Sequence, residues 1–230
     1  ALSKIFNVSH GVAVCGTHGK TTTTAWLGYV LQQAGWEPNV MVGAKVEQFE
    51  GNGLSGKSHY LIIEADEYQN KLESFYPKAV ILNNIEHDHH DFFPEEKDYI
   101  QVFRDFVKKI PPKGFLVANY DDPVIPSLVR ECQGRVIGYG IEEQGADLVA
   151  YDIKQGGDQI YSESGKQFFK VKWNNGEGSQ ELGNFSIRLS GRHNIYNALA
   201  VIGSLLEMGM ELNIIREYLE GFQGTERRMQ

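Results

Sequence analysis

Phosphate-binding residue types are concentrated in one short segment, Gly16-Thr17-His18-Gly19-Lys20-Thr21-Thr22. It follows the apolar run 12–15 and precedes a helix-compatible stretch. In such a loop, glycines let the backbone approach phosphates closely, and successive amide N–H groups face the anion at the start of the helix. The lysine neutralises phosphate charge, and the hydroxyl of the threonine after it can ligate Mg²⁺. The segment therefore predicts a nucleoside triphosphate site that uses Mg²⁺.

The spacing of this segment departs from the standard phosphate-binding loop, in which four residues separate the first glycine from the Gly-Lys pair. Here only Thr17 and His18 lie between Gly16 and Gly19. The shorter loop indicates a narrower group of nucleotide-binding proteins. A glycine-rich turn without a ligand is the alternative, and the lysine that follows Gly19 argues against it.

Carboxylates follow the apolar run 60–63, in the segment Glu64-Ala65-Asp66-Glu67. Because ligands gather beyond the carboxyl ends of parallel strands, these side chains are expected near the phosphate loop. Mg²⁺ prefers oxygen ligands, and Glu64 comes directly after the buried run, so Glu64 is the predicted carboxylate ligand. For Glu67, a metal-linked role and a plain solvated charge both remain open.

Histidines and acids follow the apolar run 79–82, in the segment 83–91 (Asn-Asn-Ile-Glu-His-Asp-His-His-Asp). Glu86 is open to the same two interpretations as Glu67, and His87 and His90 are expected at the surface or behind the ligands. The run 87–91 also resembles a two-metal phosphohydrolase site. A hydrolase of that kind has no use for a lysine in its phosphate loop, which disfavours this alternative.

The predicted fold is α/β, a doubly wound and mostly parallel sheet. Short apolar runs without alternation are typical of strands buried on both faces, and they occur at 12–15, 40–42, 60–63, 79–82, 115–118 and 136–137. Helical patterns occur at 22–34, 95–110, 122–131, 194–208 and 213–222. Because strands and helices alternate over most of the chain, the strands are expected to be parallel.

A different pattern occupies residues 147–189. Apolar residues alternate with others around Tyr151 and Val171, and turn signals stand at Gly156-Gly157 and Asn174-Asn175-Gly176. This pattern predicts a small antiparallel sheet appended to the main one.

Composition narrows the class of protein. The 230 residues are 41% hydrophobic and 23% charged, which is ordinary for one soluble globular core. A net charge of −8 argues against a nucleic-acid partner. Two cysteines, Cys15 and Cys132, form no disulfide or metal pattern, which predicts a reducing cytoplasmic location. No apolar stretch approaches the roughly twenty residues needed to span a membrane.

Four motifs together resemble the Mur ligases, ATP-dependent enzymes that build the peptide of bacterial cell-wall precursors. The motifs are Gly16-Thr17-His18-Gly19-Lys20-Thr21-Thr22, Glu64-Ala65-Asp66-Glu67, Asn84-Ile85-Glu86-His87-Asp88-His89, and Gly191-Arg192-His193-Asn194 with Asn197 and Ala198. Their order and spacing cover most of the chain. The resemblance implies that residues 1–230 are the central ATP-binding domain, without the N-terminal UDP-sugar domain and the C-terminal Rossmann-like domain of full-length relatives.

Within the family, two branches are similar to this chain. His18 and the Glu-Ala-Asp-Glu motif look most like the branch that joins L-alanine to UDP-N-acetylmuramate, and next most like the branch that reattaches a recycled tripeptide. The tail 222–228 favours the first branch, whereas Asn83-Asn84-Ile85-Glu86 with Asp91-Phe92-Phe93 leans toward the second. The alanine-adding branch is preferred, with UDP-N-acetylmuramate and L-alanine as the implied substrates.

The resemblance also implies roles for single residues. ATP activates the sugar carboxylate as an acyl phosphate, and an amine then displaces phosphate. Lys20 and His89 are the implied catalytic residues. Thr21 and Glu64 would hold the ATP-linked Mg²⁺, and His89 a second one. A hydrogen-bonded loop histidine is the alternative for His89.

The phosphate loop from Gly16 to Thr22 and the last motif imply the nucleotide contacts. The family's motif on the adenine side of ATP is matched by His193, Asn194 and Asn197. Asn194 is also a good N-cap for the following helix. Several other branches carry a carbamylated lysine on the helix after the histidine, where this chain has Arg104. That departure fits the two branches above.

Two other classes of protein stay as alternatives. A GTPase or kinase would need a guanine-reading motif or an arginine-rich lid, and neither is evident. An isolated nucleotide-binding module without turnover is compatible with a ligase parent, because the resemblance implies that other domains complete the reaction.

Overall fold

A computed structural model describes residues 2–142, 145–155, 165–174 and 178–225. The strands are β1 (His10–Cys15), β2 (Asn39–Val46), β3 (Gly51–Leu54), β4 (Tyr60–Glu64), β5 (Ala79–Leu82), β6 (Phe115–Asn119), β7 (Arg135–Gly140), β8 (Leu148–Gln155), β9 (Gln167–Asn174) and β10 (Ser179–Ile187). The α-helices are α1 (Leu2–Val8), α2 (Lys20–Gln33), α3 (Glu96–Val107), α4 (Ile125–Leu128), α5 (Arg192–Glu207) and α6 (Leu212–Leu219). The turn signals at 156–157 and 175–176 and the tail 226–228 lie outside the described residues.

The described strands form one ten-stranded sheet in the order β10-β9-β8-β7-β6-β5-β1-β4-β2-β3. Every pair from β2–β4 through β7–β8 is parallel, and antiparallel pairs extend the sheet at both edges. The predicted mostly parallel α/β sheet is therefore confirmed. The predicted antiparallel strands are also present, and they continue the main sheet because β8 pairs in parallel with β7.

Two helical layers cover the sheet. Residues of α2, α5 and α6 pack on one face in one buried apolar cluster. Residues of α1, α3 and α4 pack on the other face in a second cluster. Both faces of the central strands are thus removed from water, which explains why their sequences are apolar without alternation. Within the described residues, no helix combines the length and apolar character needed to cross a lipid bilayer.

Helix α1 and strand β3 were not predicted from the sequence. Helix α1 is held by one fully buried side chain, Phe6, whose ring meets the Phe75 ring edge-on at 5.2 Å. A Cβ added at Gly11 would lie 2.5 Å from the Phe6 ring, so the helix packs directly on the strand backbone. A seven-residue helix with one buried anchor has too little apolar periodicity to be recognised.

The chain reverses its winding direction between β1 and β5. These strands are parallel neighbours, paired from Val12 with Ala79 to Cys15 with Leu82. The helix that follows β1 packs on one face of the sheet, whereas the helix that follows β5 packs on the other. The two following loops therefore diverge and leave a crevice between them, and ligands bind doubly wound sheets in such crevices.

Asp122, after β6, anchors one wall of this crevice. Its carboxylate is 7% exposed and accepts hydrogen bonds from the amides of Val124 (2.8 Å) and Ile125 (3.0 Å) at the start of α4. Its other oxygen accepts the Ile85 amide at 2.9 Å, in the loop after β5. One buried carboxylate thus ties a helix start to the loop of a neighbouring strand.

We predict that Asp122→Ala lowers the free energy of unfolding by about 2–4 kcal/mol, because it leaves three backbone amides without their acceptor. Urea denaturation followed by circular dichroism measures this loss. Asp105→Ala is the control, since Asp105 lies exposed on α3, and its effect should stay within about 0.5 kcal/mol. Equal effects of the two substitutions would contradict the anchoring role.

Candidate functional site

The loop between β1 and α2 requires its two glycines. Gly16 and Gly19 have φ values of 123° and 79°, a region that residues with a Cβ avoid. A Cβ at Gly16 would lie 2.7 Å from the Asn84 carbonyl oxygen, and one at Gly19 would lie 2.6 Å from Oδ1 of Asn197. The loop backbone is therefore pressed against its neighbours, and Gly19 forms the cap from which α2 begins.

Lys20 bends back over this loop. Its Nζ donates a hydrogen bond to the Gly16 carbonyl at 2.6 Å and lies 3.4 Å from the Thr17 carbonyl oxygen. It also lies 3.5 Å from Oε2 of Glu67. The amine therefore sits on the loop that the sequence predicts to bind phosphate, at the N-terminus of α2 where the backbone amides favour anions.

Two side chains, those of Asn84 and Thr17, lock the loop 83–86 onto the phosphate loop. The His18 amide donates to Oδ1 of Asn84 at 2.7 Å, and Nδ2 of Asn84 donates to the His18 carbonyl at 3.1 Å. Oγ1 of Thr17 donates to the Glu86 carbonyl and accepts the Glu86 amide, both at 2.9 Å. The side chain of Thr17 thus fixes the third motif, which sequence reasoning had not assigned to it.

The carboxylates of the second motif differ in their surroundings. Glu64 ends β4 beside Val14 of β1. Within the described residues, its Oε1 is buried without a hydrogen-bond partner. A buried oxygen of this kind is costly unless a cation or donor satisfies it, so Glu64 fits the predicted Mg²⁺ ligand. Glu67 is 1% exposed, which excludes a solvated charge there, whereas the Glu86 side chain is 70% exposed.

A second group of side chains that could hold a metal ion includes the two acids that follow β4. The ligand atoms of Asp66, Glu67 and His89 lie within 4.8 Å of one another. Burial would raise the pKa of Asp66, but the hydrogen bonds from Lys71 and the Tyr68 amide outweigh it and hold that pKa below its usual value. This carboxylate is therefore charged at neutral pH. Two carboxylates and an imidazole are a donor set that a divalent cation accepts.

The other histidines of the segment 87–91 do not join this group. Nε2 of His87 bonds the Phe93 carbonyl oxygen at 2.8 Å, and the His87 ring meets the His90 ring edge-on at 4.2 Å. Asp88 accepts the His89 amide at 2.7 Å. The segment therefore does not assemble the two-metal arrangement that its sequence resembles, and of its three histidines His89 is the one that lies near Glu67.

The residues of the last motif meet the phosphate loop across a polar network. Oγ1 of Thr23 donates to Oδ1 of Asn197 at 3.2 Å, and Nδ2 of Asn197 donates to Oδ1 of Asn194 at 3.1 Å. Helix α5 begins at Arg192 after Gly191, without a side-chain cap, so the N-cap alternative for Asn194 is wrong. Asn194 instead lies in the first turn and donates to the Ser190 carbonyl at 2.7 Å.

A cavity of about 300 Å³ lies between the phosphate loop and α5. It is lined by His18, Gly19, Asn83, Asn84, Asn119, Tyr139, His193, Tyr196 and Asn197. The structure thus brings the predicted His193 and Asn197 to the predicted His18 and Gly19. A glycine backbone without room for a Cβ and amide side chains around a cavity fit a nucleotide, and the buried Oε1 of Glu64 fits Mg²⁺.

Sequence reasoning missed the tyrosines of this cavity. Tyr196 donates its hydroxyl to Oδ2 of Asp121 at 2.7 Å, and burial together with that bond raises the pKa of Tyr196 to about 12. Burial raises the pKa of Tyr139 well above its usual value, so both phenols stay protonated. The only sequence signal for Tyr139 is its place at the end of a strand, which many residues share.

Arg104 lies on α3, the helix that follows the histidine segment 87–91. Its Nη1 pairs with Oε1 of Glu131 at 3.2 Å. This arginine is therefore engaged in an ion pair with the turn after α4.

The fold and the loop define an α/β domain with a phosphate-loop turn after its first strand. Residues 14–205 match the protein family described as the Mur ligase middle domain. Because this match covers most of the chain, the chain belongs to the Mur ligase middle-domain family.

Curated relatives share this sequence over nearly its whole length. The UDP-N-acetylmuramate–L-alanine ligase of Caldanaerobacter subterraneus subsp. tengcongensis is 36% identical over 220 residues, covering 96% of this chain and 45% of the relative. The ligase of the same name from Aquifex aeolicus is 34% identical over 229 residues, covering 100% of this chain and 48% of the relative. The chain thus spans about half the length of the curated relatives it matches.

Solved structures share the fold. The UDP-N-acetylmuramate:L-alanyl-gamma-D-glutamyl-meso-diaminopimelate ligase from Neisseria meningitides has a TM-score of 0.83 at 28% identity, covering 98% of this chain and 70% of that one. The UDP-N-acetylmuramate-alanine ligase from Thermotoga maritima has a TM-score of 0.76 at 27% identity, covering 94% of this chain and 45% of that one.

We predict that Gly19→Ala lowers the affinity for ATP at least tenfold. The new Cβ would lie 2.6 Å from Oδ1 of Asn197 and 2.9 Å from Nδ2 of Asn83, so it would displace both side-chain amides. Calorimetric titration with ATP and Mg²⁺ measures the affinity. Gly35→Ala is a matched control, since Gly35 has a φ of 77° and open space around it. Both variants carry the same backbone strain of about 1–2 kcal/mol, so only the contact differs. Equal affinities would contradict the prediction.

Proposed function

We propose that this chain is the ATP-binding middle portion of a ligase that joins L-alanine to UDP-N-acetylmuramate in peptidoglycan synthesis. The observation that carries the proposal is the short loop from Gly16 to Lys20, whose lysine amine lies beside a buried carboxylate group at the carboxyl edge of the sheet. The names of the curated relatives support the choice of substrates.

In the proposed reaction the sugar carboxylate attacks the γ-phosphorus of ATP and ADP leaves, which gives an acyl phosphate. The amine of alanine then attacks the acyl carbon, and phosphate and a proton leave as the amide forms. The loop amides between Gly16 and Lys20 would hold the phosphates. Lys20 would neutralise their charge, and the reaction gains mainly from positioning and electrostatics. Mg²⁺ would supply further positive charge. Thr21 and Glu64 would hold one Mg²⁺ ion, and His89 would bind a second one.

The adenine end of ATP is proposed to lie in the cavity beside α5. An asparagine amide offers both a donor and an acceptor, which suits the edge of a base. Asn194 and Asn197 are bonded to each other at the start of α5, and His193 lines the cavity beside them. These side chains would orient the nucleotide so that its phosphates reach Lys20.

The longer length of the relatives supports a division of labour between domains. We propose that other domains of a longer, cytoplasmic polypeptide bind the UDP-sugar and complete the sites for ATP and the amino acid. The acceptor would then be selected largely outside residues 1–230, and this chain alone would bind nucleotide with little turnover.

A second candidate function is the reattachment of a recycled tripeptide to the same sugar nucleotide. The observation that favours it is the TM-score of 0.83 with the tripeptide ligase, against 0.76 with the alanine ligase. The curated relatives favour the alanine-adding function, since an alanine ligase is 36% identical over 220 residues and covers 96% of the chain. The alanine-adding function is preferred, because a shared fold determines substrate less than the sequence does.

Lys20→Ala should lower the ATP affinity of this chain at least tenfold and abolish turnover in the full-length polypeptide, since its amine would no longer neutralise the phosphate charge. Its far-UV circular dichroism spectrum should match that of the unchanged chain. Lys57→Ala is the control, because Lys57 is 86% exposed. Undiminished ATP binding by Lys20→Ala would remove the phosphate-loop assignment.

The substrate is tested by phosphate release from the full-length polypeptide with ATP, Mg²⁺ and UDP-N-acetylmuramate. We expect release that depends on L-alanine. Release that depends instead on L-Ala-γ-D-Glu-meso-diaminopimelate would establish the second candidate, and release with neither acceptor would contradict both.

A further inference from the structure

The carboxylate of Glu67 is a buried charge at the carboxyl edge of the sheet. The residue is 1% exposed, and its Oε2 lies 3.5 Å from the amine of Lys20. A carboxylate that is removed from water requires a counter-charge and hydrogen-bond donors. In the part of the chain that the structure describes, two basic side chains lie within ion-pair distance of it, Lys20 and His89.

Lys20 is the principal counter-charge in this arrangement. The hydroxyl of Tyr99 donates to Oε1 of Glu67 at 2.9 Å, and burial keeps the pKa of Tyr99 well above its usual value. Tyr99 therefore supplies a hydrogen bond but no charge. Nε2 of His89 lies 3.7 Å from the same oxygen, which is too long for a hydrogen bond.

The amine of Lys20 cannot keep its present contact with Glu67 and also contact the phosphates of a bound nucleotide. Its amine already contacts the Gly16 and Thr17 carbonyl oxygens and Glu67. Phosphates on the loop would draw the amine toward themselves and would also place negative charge near Glu67. The buried carboxylate would then lack its cation, which is strongly unfavourable.

We propose that Glu67 exchanges Lys20 for a divalent cation when nucleotide binds, and that this exchange makes nucleotide binding depend on the cation. The inference rests on the proposed function. Its structural basis is the group of Asp66, Glu67 and His89, whose ligand atoms lie within 4.8 Å of one another. Glu67 is thus assigned as a cation-binding residue in addition to those predicted from the sequence.

Glu67→Gln tests the exchange, because glutamine keeps the shape and the acceptor for Tyr99 but removes the charge. The affinity of the chain for ATP is measured by calorimetry with excess Mg²⁺ and again with EDTA. The ratio of the two affinities should fall about tenfold, which is about 1.4 kcal/mol. The affinity in EDTA should stay the same or rise, because one negative charge near the phosphates is gone.

Glu207→Gln is the matched control. Oε2 of Glu207 pairs with Nη1 of Arg135 at 3.2 Å, and the Glu207 side chain is 18% exposed. Arg135 is the first residue of β7, so this pair lies at the amino-terminal ends of the parallel strands, away from Glu67. This variant should keep the ratio of the unchanged chain. A role of Glu67 in stability alone would lower both affinities equally, so an unchanged ratio in Glu67→Gln would overturn the proposal.

A second measurement needs neither nucleotide nor Glu67→Gln. Lys20→Ala leaves Glu67 without its principal counter-charge, so Mg²⁺ should raise the melting temperature of this variant by about 2–4 °C. The same Mg²⁺ should leave the unchanged chain unaffected, because Lys20 holds the carboxylate there. No shift in Lys20→Ala would overturn the exchange.

The failure of this inference is distinguishable from the failure of the proposed function. If the unchanged chain binds ATP and Glu67→Gln keeps the full effect of Mg²⁺, only the exchange is overturned. If the unchanged chain binds ATP neither with Mg²⁺ nor with EDTA, the proposed function is overturned and the exchange with it.

Discussion

The backbone contact between the loops that follow β1 and β5 is the constraint on which the site depends. The Thr17 amide donates to the Asn84 carbonyl at 3.0 Å, and a Cβ at Gly16 would come within 2.7 Å of the same oxygen. Adjacent parallel strands force the two loops together, while their helices leave on opposite faces. Only glycine allows this approach. The contact brings His89 to the same crevice as Lys20.

The charges of this crevice oppose the ligand that it is proposed to bind. Glu64, Asp66 and Glu67 lie at the end of one strand, in a chain of net charge −8. A triphosphate would be repelled by these groups unless local donors and cations outweigh them. The loop amides and Lys20 supply part of the compensation. These three carboxylates therefore require bound cations beside them, because carboxylates near a phosphate site otherwise weaken the binding of the phosphates.

The sequence predicted the sheet better than the details of the site. Strands buried on both faces leave continuous apolar runs, so the parallel strands could be recognised. The helix predicted over 122–131 is instead α4 over Ile125–Leu128, followed by a short 3-10 turn over Val129–Glu131. The burial of Glu67 could not be predicted, since it depends on Tyr99 of α3, a contact between distant segments. Local patterns carry no such information.

Asn83 explains how the phosphate loop and the cavity beside α5 form one site. Its Nδ2 donates to Oγ1 of Thr23 at 3.1 Å and lies 3.4 Å from the His18 carbonyl oxygen, while its Oδ1 lies 3.5 Å from the Tyr139 hydroxyl. Nδ2 of Asn119 donates to the backbone carbonyl of Asn83 at 2.9 Å. Only an amide can offer donors to the loop and an acceptor to the cavity at once, and aspartate would place an anion against the His18 carbonyl. Asn83 therefore links the phosphate loop to the wall of the cavity, so that the two parts form one continuous site.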